Sequence, residues 1–287
     1  MKSSSVSLLL QSIWRNNYRG ISLTYGLTIV ENVCSLLYAA ATGFAIDGLL
    51  KGNPTSLIPL ILLSCIHLTV GLFRHVYDTK VFVGIYSRVA SDMVARQRQK
   101  GIEGTRIIGR VSLSRELVDF FQMELPAVAS TVIQFVGATL MLFIYDPLIG
   151  VFALIAMIPI TLMNRWFGKR SYRLNRALND RIEKEADIIV NSSLKAIVRH
   201  FFHLKFWRVK ISNAEAGTWG LVEIVVIVLT IATLLRFSDS GAATAGTIYA
   251  VLSYVRMFQG SVNELPIIVQ NVSRVYDIGE RVSGDVN

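Results

Sequence analysis

PAVASTVIQFVGATLMLFIYDPLIGVFALIAMIPITLMN, residues 126–164, decides the fold, because Asp146 is its single charged residue. A helix needs about 20 apolar residues to cross a bilayer core of roughly 30 Å. The segments at about 126–145 and 147–164 each approach that length. Proline cannot continue a helix from the residue before it, so Asp146-Pro147 separates the two. The stretch predicts two membrane-spanning helices joined by a tight hairpin.

Four further apolar segments extend this pattern to both sides of the hairpin. Hydrophobic residues make up 52% of the chain, which is too apolar for one soluble domain of this size. The composition predicts an all-α membrane protein with six transmembrane helices. The four additional spans lie at about 21–46, 56–77, 217–235 and 246–268.

The apolar core within the first 20 residues is too short for a signal peptide. Ser5 to Tyr18 instead predicts an interfacial elbow helix within residues 1–20. Its apolar side chains would enter the headgroup layer, and Arg15 and Arg19 would face phosphate groups.

The positive charge of the chain lies in two long connections. Residues 79–124 hold eight Lys and Arg, and residues 165–215 hold twelve, within a net charge of +9. By the positive-inside rule, these stretches and both termini are predicted to lie in the cytoplasm, with the protein in the cytoplasmic (inner) membrane. The charge is therefore explained by topology, and no nucleic-acid partner is predicted.

Both long connections are predicted to be helical hairpins that extend from the membrane. No proline occurs between Pro59 and Pro126, or between Pro159 and Pro266, so few helix breakers interrupt them. The fourth helix is expected to run from about Pro147 to Val190, roughly 66 Å at 1.5 Å per residue. Residues 1–287 are then one domain without a separate soluble part.

The cytosolic tips are predicted from local turn and cap residues. Gly101 to Arg106 contains two glycines, which permit a tight reversal of the first hairpin. Asn191-Ser192-Ser193 offers N-cap residues in the second hairpin, and a short helix across its end is expected to follow from Leu194.

The ordered set of segments resembles the six-helix transmembrane domain of exporter-type ABC transporters over nearly the whole chain. No single motif is specific, but their order is. The motifs are Ala45-Ile46-Asp47-Gly48-Leu49-Leu50, Ser114-Arg115-Glu116-Leu117-Val118-Asp119, Tyr145-Asp146-Pro147 with Ile158-Pro159, and Gly246-Thr247-Ile248-Tyr249-Ala250 with Arg274 to Val282.

The resemblance implies a homodimer whose cytosolic tips grip an ATPase. No Gly-x-x-x-x-Gly-Lys-Ser/Thr loop occurs in the 287 residues, so a separately encoded ATPase subunit would bind ATP and Mg²⁺. This chain is then predicted to be neither an enzyme nor a cofactor-binding protein. A departure from the family pattern is Asn191, which stands near the usual position of an acidic residue. The predicted coupling residues are Gly101, Glu103, Arg106, Asn191, Ser192, Lys195 and Arg199.

Ionisable residues inside predicted spans are costly and indicate function by default. One interpretation is a polar cavity at a dimer interface that binds a cationic substrate or carries protons. The other is structural: Arg256 is neutralised by Glu223 or Glu264, while His67 is a hydrogen-bonded packing residue. For Glu31 the functional interpretation is favoured, because helix one holds no basic residue at a similar depth that could neutralise it. The candidates are Glu31, His67, Glu223, Arg256 and Glu264.

Other polar groups have simpler interpretations. Arg74 and Asp78, four residues apart, form an ordinary helix-face pair. His200 and His203 lack the partners of a zinc site, and no catalytic or metal site is predicted.

Several functions remain open from the sequence. The first is the membrane subunit of an ABC-type exporter, which moves a small molecule or peptide, cationic if the carboxylates dominate. The second is a proton-driven transporter on the same scaffold, and the third is a non-transporting regulator or immunity protein. A fourth is that these residues are part of a longer half-transporter, since Asn287 falls where a linker would begin.

Overall fold

The computed structural model describes residues 3–99, 101, 115, 118–182, 184–240 and 243–284. Within residues 3–13, 96, 186, 239–240 and 265–284, only the backbone is described. The described residues form helices joined by short turns, without a strand. The helices are α1 (Ser3–Leu50), α2 (Ile58–Gln99), α3 (Leu125–Tyr145), α4 (Pro147–Ile182), α5 (Glu185–Asn191), α6 (Leu194–Ser240) and α7 (Ala245–Gly284).

Five helical segments in this described part are long and apolar enough to cross a membrane. They are Trp14–Leu50, Pro54–Gln99, Phe120–Tyr145, Pro147–Asn191 and Leu194–Ser238. The predicted sixth span, about 246–268, lies in α7 but is not among the five. The all-helical, multi-pass prediction is confirmed, and the count of six spans stays a prediction.

The chain divides into two compact units. The first consists of Met1–Met141 and Ala242–Asn287, and the second is Leu142–Gly241. Hydropathy does not mark this division, since both units consist of similar apolar helices. The assignment of residues 1–287 to one domain stays a prediction.

In the first unit, α1 packs against α7 through two glycines. A Cβ atom on Gly246 would lie 1.9 Å from the carbonyl oxygen of Gly43, so the backbones meet without side chains between them. Next to this contact, the carboxylate of Asp47 accepts hydrogen bonds from the Gly246 N–H (2.8 Å) and the Thr244 hydroxyl (2.5 Å). It satisfies a donor at the start of α7, as a cap does. Two motifs far apart in sequence are thus in direct contact.

A π-helical turn, Phe120–Glu124, leads into α3, where the Leu125 N–H bonds to the Phe120 carbonyl five residues back. Pro126 has no N–H and its ring needs room beside the preceding turn, so a widened turn accommodates it. The Phe121 carbonyl therefore receives no bond from Pro126. The Tyr25 hydroxyl donates to it instead, at 3.1 Å.

In the second unit, α4 packs against α6. The predicted boundary of the fourth helix is wrong: α4 ends at Ile182, not near Val190, and is about 54 Å long. A separate short helix, α5, occupies Glu185–Asn191. It ends at Asn191, whereas the sequence predicted a short helix after Asn191-Ser192-Ser193. At Leu194 the long helix α6 begins instead.

Helix α1 is kinked close to Tyr18, where the predicted interfacial helix ends. Asn17 has φ −131° and ψ 20°, which interrupts α1 between its first segment and the membrane-length segment. The side chains predicted to enter the headgroup layer are Leu8, Leu9, Ile13 and Trp14. The first three lie outside the described side chains, and Trp14 stacks on Tyr25 with ring centroids 6.1 Å apart. Gly101 has φ +68°, the left-handed conformation that its prediction as a turn residue required. Glu103 and Arg106 lie outside the described residues.

Candidate functional site

A polar cleft of about 380 Å³ lies between α1, α2 and the segment from Gln122 to Gln134. All of its lining belongs to the first unit. Two of the five predicted site residues, Glu31 and His67, line it. The sequence placed them at similar depths on neighbouring helices, and the fold brings them to one cavity.

The charged part of the cleft is centred on Arg74. Its Nε donates a short hydrogen bond to Glu31 Oε2, and its Nη1 lies 3.0 Å from Asp78 Oδ2. About a quarter of the Glu31 and Arg74 side chains is exposed, while Asp78 is buried. Because one guanidinium serves two carboxylates, the group carries one net negative charge when all three are ionised.

This geometry corrects two predictions. Arg74 and Asp78 are more than an ordinary helix-face pair, since Arg74 also ties α2 to α1. Glu31 was expected to lack a basic partner, because helix one holds no basic residue near its depth. That argument did not consider the neighbouring helices. Its partner comes from helix two, because packing and not sequence distance decides which groups meet.

A neutral hydrogen-bond network forms the opposite wall. The amide nitrogen of Asn32 donates to the Thr28 carbonyl and to the Ser130 hydroxyl, both at 2.8 Å. Gln134 Nε2 donates to Asn32 Oδ1 at 3.2 Å. The network links α1 to α3, and with the net negative group it suits a cation that also forms hydrogen bonds.

His67 lies at the edge of this cleft. Its ring centroid is 5.4 Å from that of Tyr38, at an interplanar angle of 60°. The ring packs on an aromatic neighbour, as the structural interpretation expected, and also lines the cavity. Either role agrees with its position, so its involvement in proton transfer stays a prediction.

The structure does not bring the other three candidates into the cleft lining. Glu264 accepts a hydrogen bond from the buried Thr131 hydroxyl at 2.6 Å. Arg256 is exposed, and within the described residues it forms no ion pair with Glu264. The proposed neutralisation of Arg256 by Glu264 is therefore not seen. Glu223 is half-buried on α6 in the other unit.

Sequence reasoning missed Arg74 and Ser130 as cleft residues, and Asp78 as the buried partner of Arg74 outside the lining. Arg74 and Asp78 lie near the inner end of span two and were assigned to each other, and Ser130 is a common residue on an apolar helix. The available signal was weak: Glu31 and Arg74 both lie in the inner halves of their predicted spans, about 15 Å and about 5 Å from the inner ends.

The second hairpin tip contains α5 and the turn after it. Asn191 Nδ2 donates to Asp187 Oδ1 at 2.7 Å, and the Ser192 N–H bonds to the Ile188 carbonyl at 3.1 Å. Lys195 and Arg199 are exposed at the start of α6. The tip therefore presents a capped helix end and two cations on its surface.

The buried His200 holds α5 against α6. Its Nε2 lies 3.4 Å from Glu185 Oε2, and 3% of the residue is exposed. His203 Nδ1 lies 2.7 Å from the Arg199 carbonyl oxygen. In the described part of the chain, no group of three or more His, Cys, Asp and Glu residues is placed to hold a metal ion.

Membrane-length helices around a polar, charged cleft define a multi-pass membrane protein of the transporter type. The comparison with protein families is more specific. The family described as ABC transporter transmembrane region matches residues 10–246, and the chain belongs to this family. The comparison with curated proteins found no match. The family is a transport region without catalysis of its own, which agrees with the prediction that this chain is not an enzyme.

Proposed function

We propose that this chain is the substrate-translocating membrane subunit of an ABC-type exporter, working as a homodimer with a separately encoded ATPase. The observation that carries the proposal is the polar cleft of about 380 Å³ inside an ABC transporter transmembrane region. An apolar scaffold gains nothing in stability from such a cleft, since buried polar groups in a membrane are costly.

The proposed topology has six spans, an N-terminal elbow helix on the inner surface and both termini in the cytoplasm. The sixth span is α7, whose charged residues reduce its apolar character. The positive connections support this orientation in the cytoplasmic membrane. The kink at Asn17 supports the elbow, because it frees the first segment of α1 to lie along the interface.

The proposed substrate is a small organic cation or a cationic peptide. The wall of amides and hydroxyls supports this class, and so does the ion-pair group of Glu31, Arg74 and Asp78, which is net negative when ionised and of which Glu31 and Arg74 line the cleft. The cleft can be tested with Ala127→Trp, whose indole would fill it. Val132→Trp is the matched control, since Val132 is exposed on the same helix outside the cleft lining.

Transport of a fluorescent organic cation into inside-out vesicles is expected to fail with Ala127→Trp and to persist with Val132→Trp. Equal transport by both variants would reject the cleft as the translocation site.

The ATPase is proposed to bind α5 and the adjoining turn, together with the tip at Gly101. The exposed Ser192, Lys195 and Arg199 support contact with a partner there. In a Cys65→Ser background, Ser192→Cys is expected to cross-link to an ATPase subunit in native membranes. Lys51→Cys, between α1 and α2, is the control and should remain uncross-linked. Recovery of a homodimer alone from the membrane would contradict the ATPase partner.

A second candidate is a proton-driven transporter on the same scaffold. The carboxylates that share Arg74 favour it, since protonation of Glu31 would break its ion pair with Arg74, which would stay paired with Asp78. Liposomes with purified protein, a pH gradient and no ATP separate the two. Transport there that Glu31→Gln abolishes would favour the second candidate, and transport that needs ATP and the partner would favour the first.

A further inference from the structure

A second cavity, of about 360 Å³, lies where α1 kinks beside α2. Its lining includes Asn16, Tyr18 and Arg19 from α1, and Lys80, Gly84 and Arg88 from α2. The cavity lies on the same two helices as the polar cleft but shares none of its lining residues.

The cavity is strongly positive. Its lining contains three cations, Arg19, Lys80 and Arg88, and no carboxylate. None of the three forms an ion pair with a carboxylate among the residues that the structure describes. Arg19 Nε donates to the Tyr18 hydroxyl at 2.9 Å, which fixes one guanidinium at the rim. Three cations around one cavity repel one another, and a bound anion would reduce that repulsion.

Packing holds the cavity open. A Cβ on Gly20 would lie 3.1 Å from Val81 Cγ1, so the two helices touch beside the cavity. The buried Ile21 and Phe82 anchor that contact in the core. A Cβ on Gly84, by contrast, would have no atom within 4 Å, so this glycine forms an open floor.

The position of the cavity relative to the membrane indicates the ligand. Arg19 lies two residues before the predicted first span, and Lys80 three residues after the second. At about 1.5 Å per residue, both lie within roughly 5 Å of the hydrocarbon edge, at headgroup level. Arg88 extends the positive lining about two helical turns further toward the cytosol.

We propose that this cavity binds the phosphate headgroup of an anionic phospholipid from the inner leaflet. Guanidinium and ammonium groups donate charge-assisted hydrogen bonds to phosphate oxygens, and basic pockets between helices on the cytoplasmic side suit such headgroups. The acyl chains would remain in the bilayer beside α1 and α2. The site depends on the orientation of the helices, and not on whether the chain transports a substrate.

The experiment titrates the delipidated full chain with phosphatidylglycerol or phosphatidylcholine and counts bound lipid by native mass spectrometry. The wild type is expected to bind phosphatidylglycerol at least about tenfold more tightly. Arg19→Gln, Lys80→Gln and Arg88→Gln together should abolish that preference. Gly84→Leu should do the same while keeping every charge, because its side chain fills the floor. Gly84→Leu therefore still tests the site if the triple variant does not fold.

The matched control removes Arg165, Lys169 and Arg173, three exposed cations just beyond the fourth predicted span. This variant should keep the preference for phosphatidylglycerol. Equal losses in both triple variants would overturn the proposal, since they would indicate general attraction of a basic surface. Displacement of the lipid by millimolar inorganic phosphate would overturn it too, because the site would then serve a free cytosolic anion.

Discussion

The Tyr25 hydroxyl on α1 donates a hydrogen bond to the Phe121 carbonyl at the entrance of α3, 96 positions along the chain. Pro126 lacks the N–H that a widened turn would otherwise offer to that carbonyl. The tyrosine therefore compensates for a backbone defect that the proline creates. Tyr25 packs against a buried cluster of Ile21, Phe82, Ile85, Val118 and Phe121.

Tyr25→Phe should destabilise the protein by about 1–3 kcal/mol, because it leaves a buried carbonyl without a donor. Thermal unfolding of the purified protein in detergent measures the effect. Tyr172→Phe is the control, since Tyr172 is exposed and its hydroxyl faces solvent. Equal unfolding temperatures for the two variants would show that the hydroxyl of Tyr25 contributes no stability.

Replacing glycine by alanine should have different effects on stability at two positions of α1, Gly43 and Gly26. In Gly43→Ala, the new Cβ would lie 2.4 Å from the Gly246 carbonyl oxygen, so α1 and α7 must separate. We expect a loss of about 1–3 kcal/mol from this overpacking. In Gly26→Ala the Cβ meets nothing within 4 Å, and the higher helix propensity of alanine should leave stability unchanged or raised.

Unfolding temperatures of both alanine variants, measured side by side, provide the comparison. A Gly43→Ala protein as stable as Gly26→Ala would mean that the close approach of α1 and α7 is absent in the membrane.

The elements that the sequence predicted correctly are those with a local cause. The hairpin at Tyr145-Asp146-Pro147 follows from apolar length and a helix-breaking proline, and the turn at Gly101 follows from the conformational freedom of glycine. The end of α4 at Ile182 has no proline or glycine to mark it. After this point α5 begins. It packs on α6 through the contact between Glu185 and His200, which lies 15 residues further along the chain.

The sequence did not predict the pairing in the site. The predicted spans place Glu31 about 15 Å and Arg74 about 5 Å from the inner ends of their helices, and hydropathy does not tell which faces of two helices meet. Rotation and packing determine that Arg74 serves Glu31 and Asp78 together. The same limit explains why Arg256 and Glu264 were paired in the sequence interpretation, although Glu264 bonds to Thr131.

Arg74→Gln should destabilise the protein more than Glu31→Gln. Loss of the shared cation leaves two partly buried carboxylates facing each other, whereas loss of Glu31 leaves Arg74 still paired with Asp78. The double variant should be more stable than the sum of the single effects predicts, by about 0.5–3 kcal/mol. A cycle of denaturation free energies for the four proteins measures this coupling, and purely additive values would rule out the Glu31–Arg74 contact.

The last prediction concerns α5, which has seven residues and is too short to be stable alone. Its contact with α6 includes the Glu185 carboxylate beside the buried His200. Glu185→Gln weakens that contact, so the backbone amides of Glu185–Asn191 should exchange hydrogen for deuterium about threefold faster or more. Asp187→Asn removes the same charge from the same first turn, so it reproduces any effect on the helix dipole. Because Asp187 bonds within α5 and not to α6, this control should change exchange less. Equal acceleration in both variants would assign the effect to the dipole and leave no role for His200 in docking the helix.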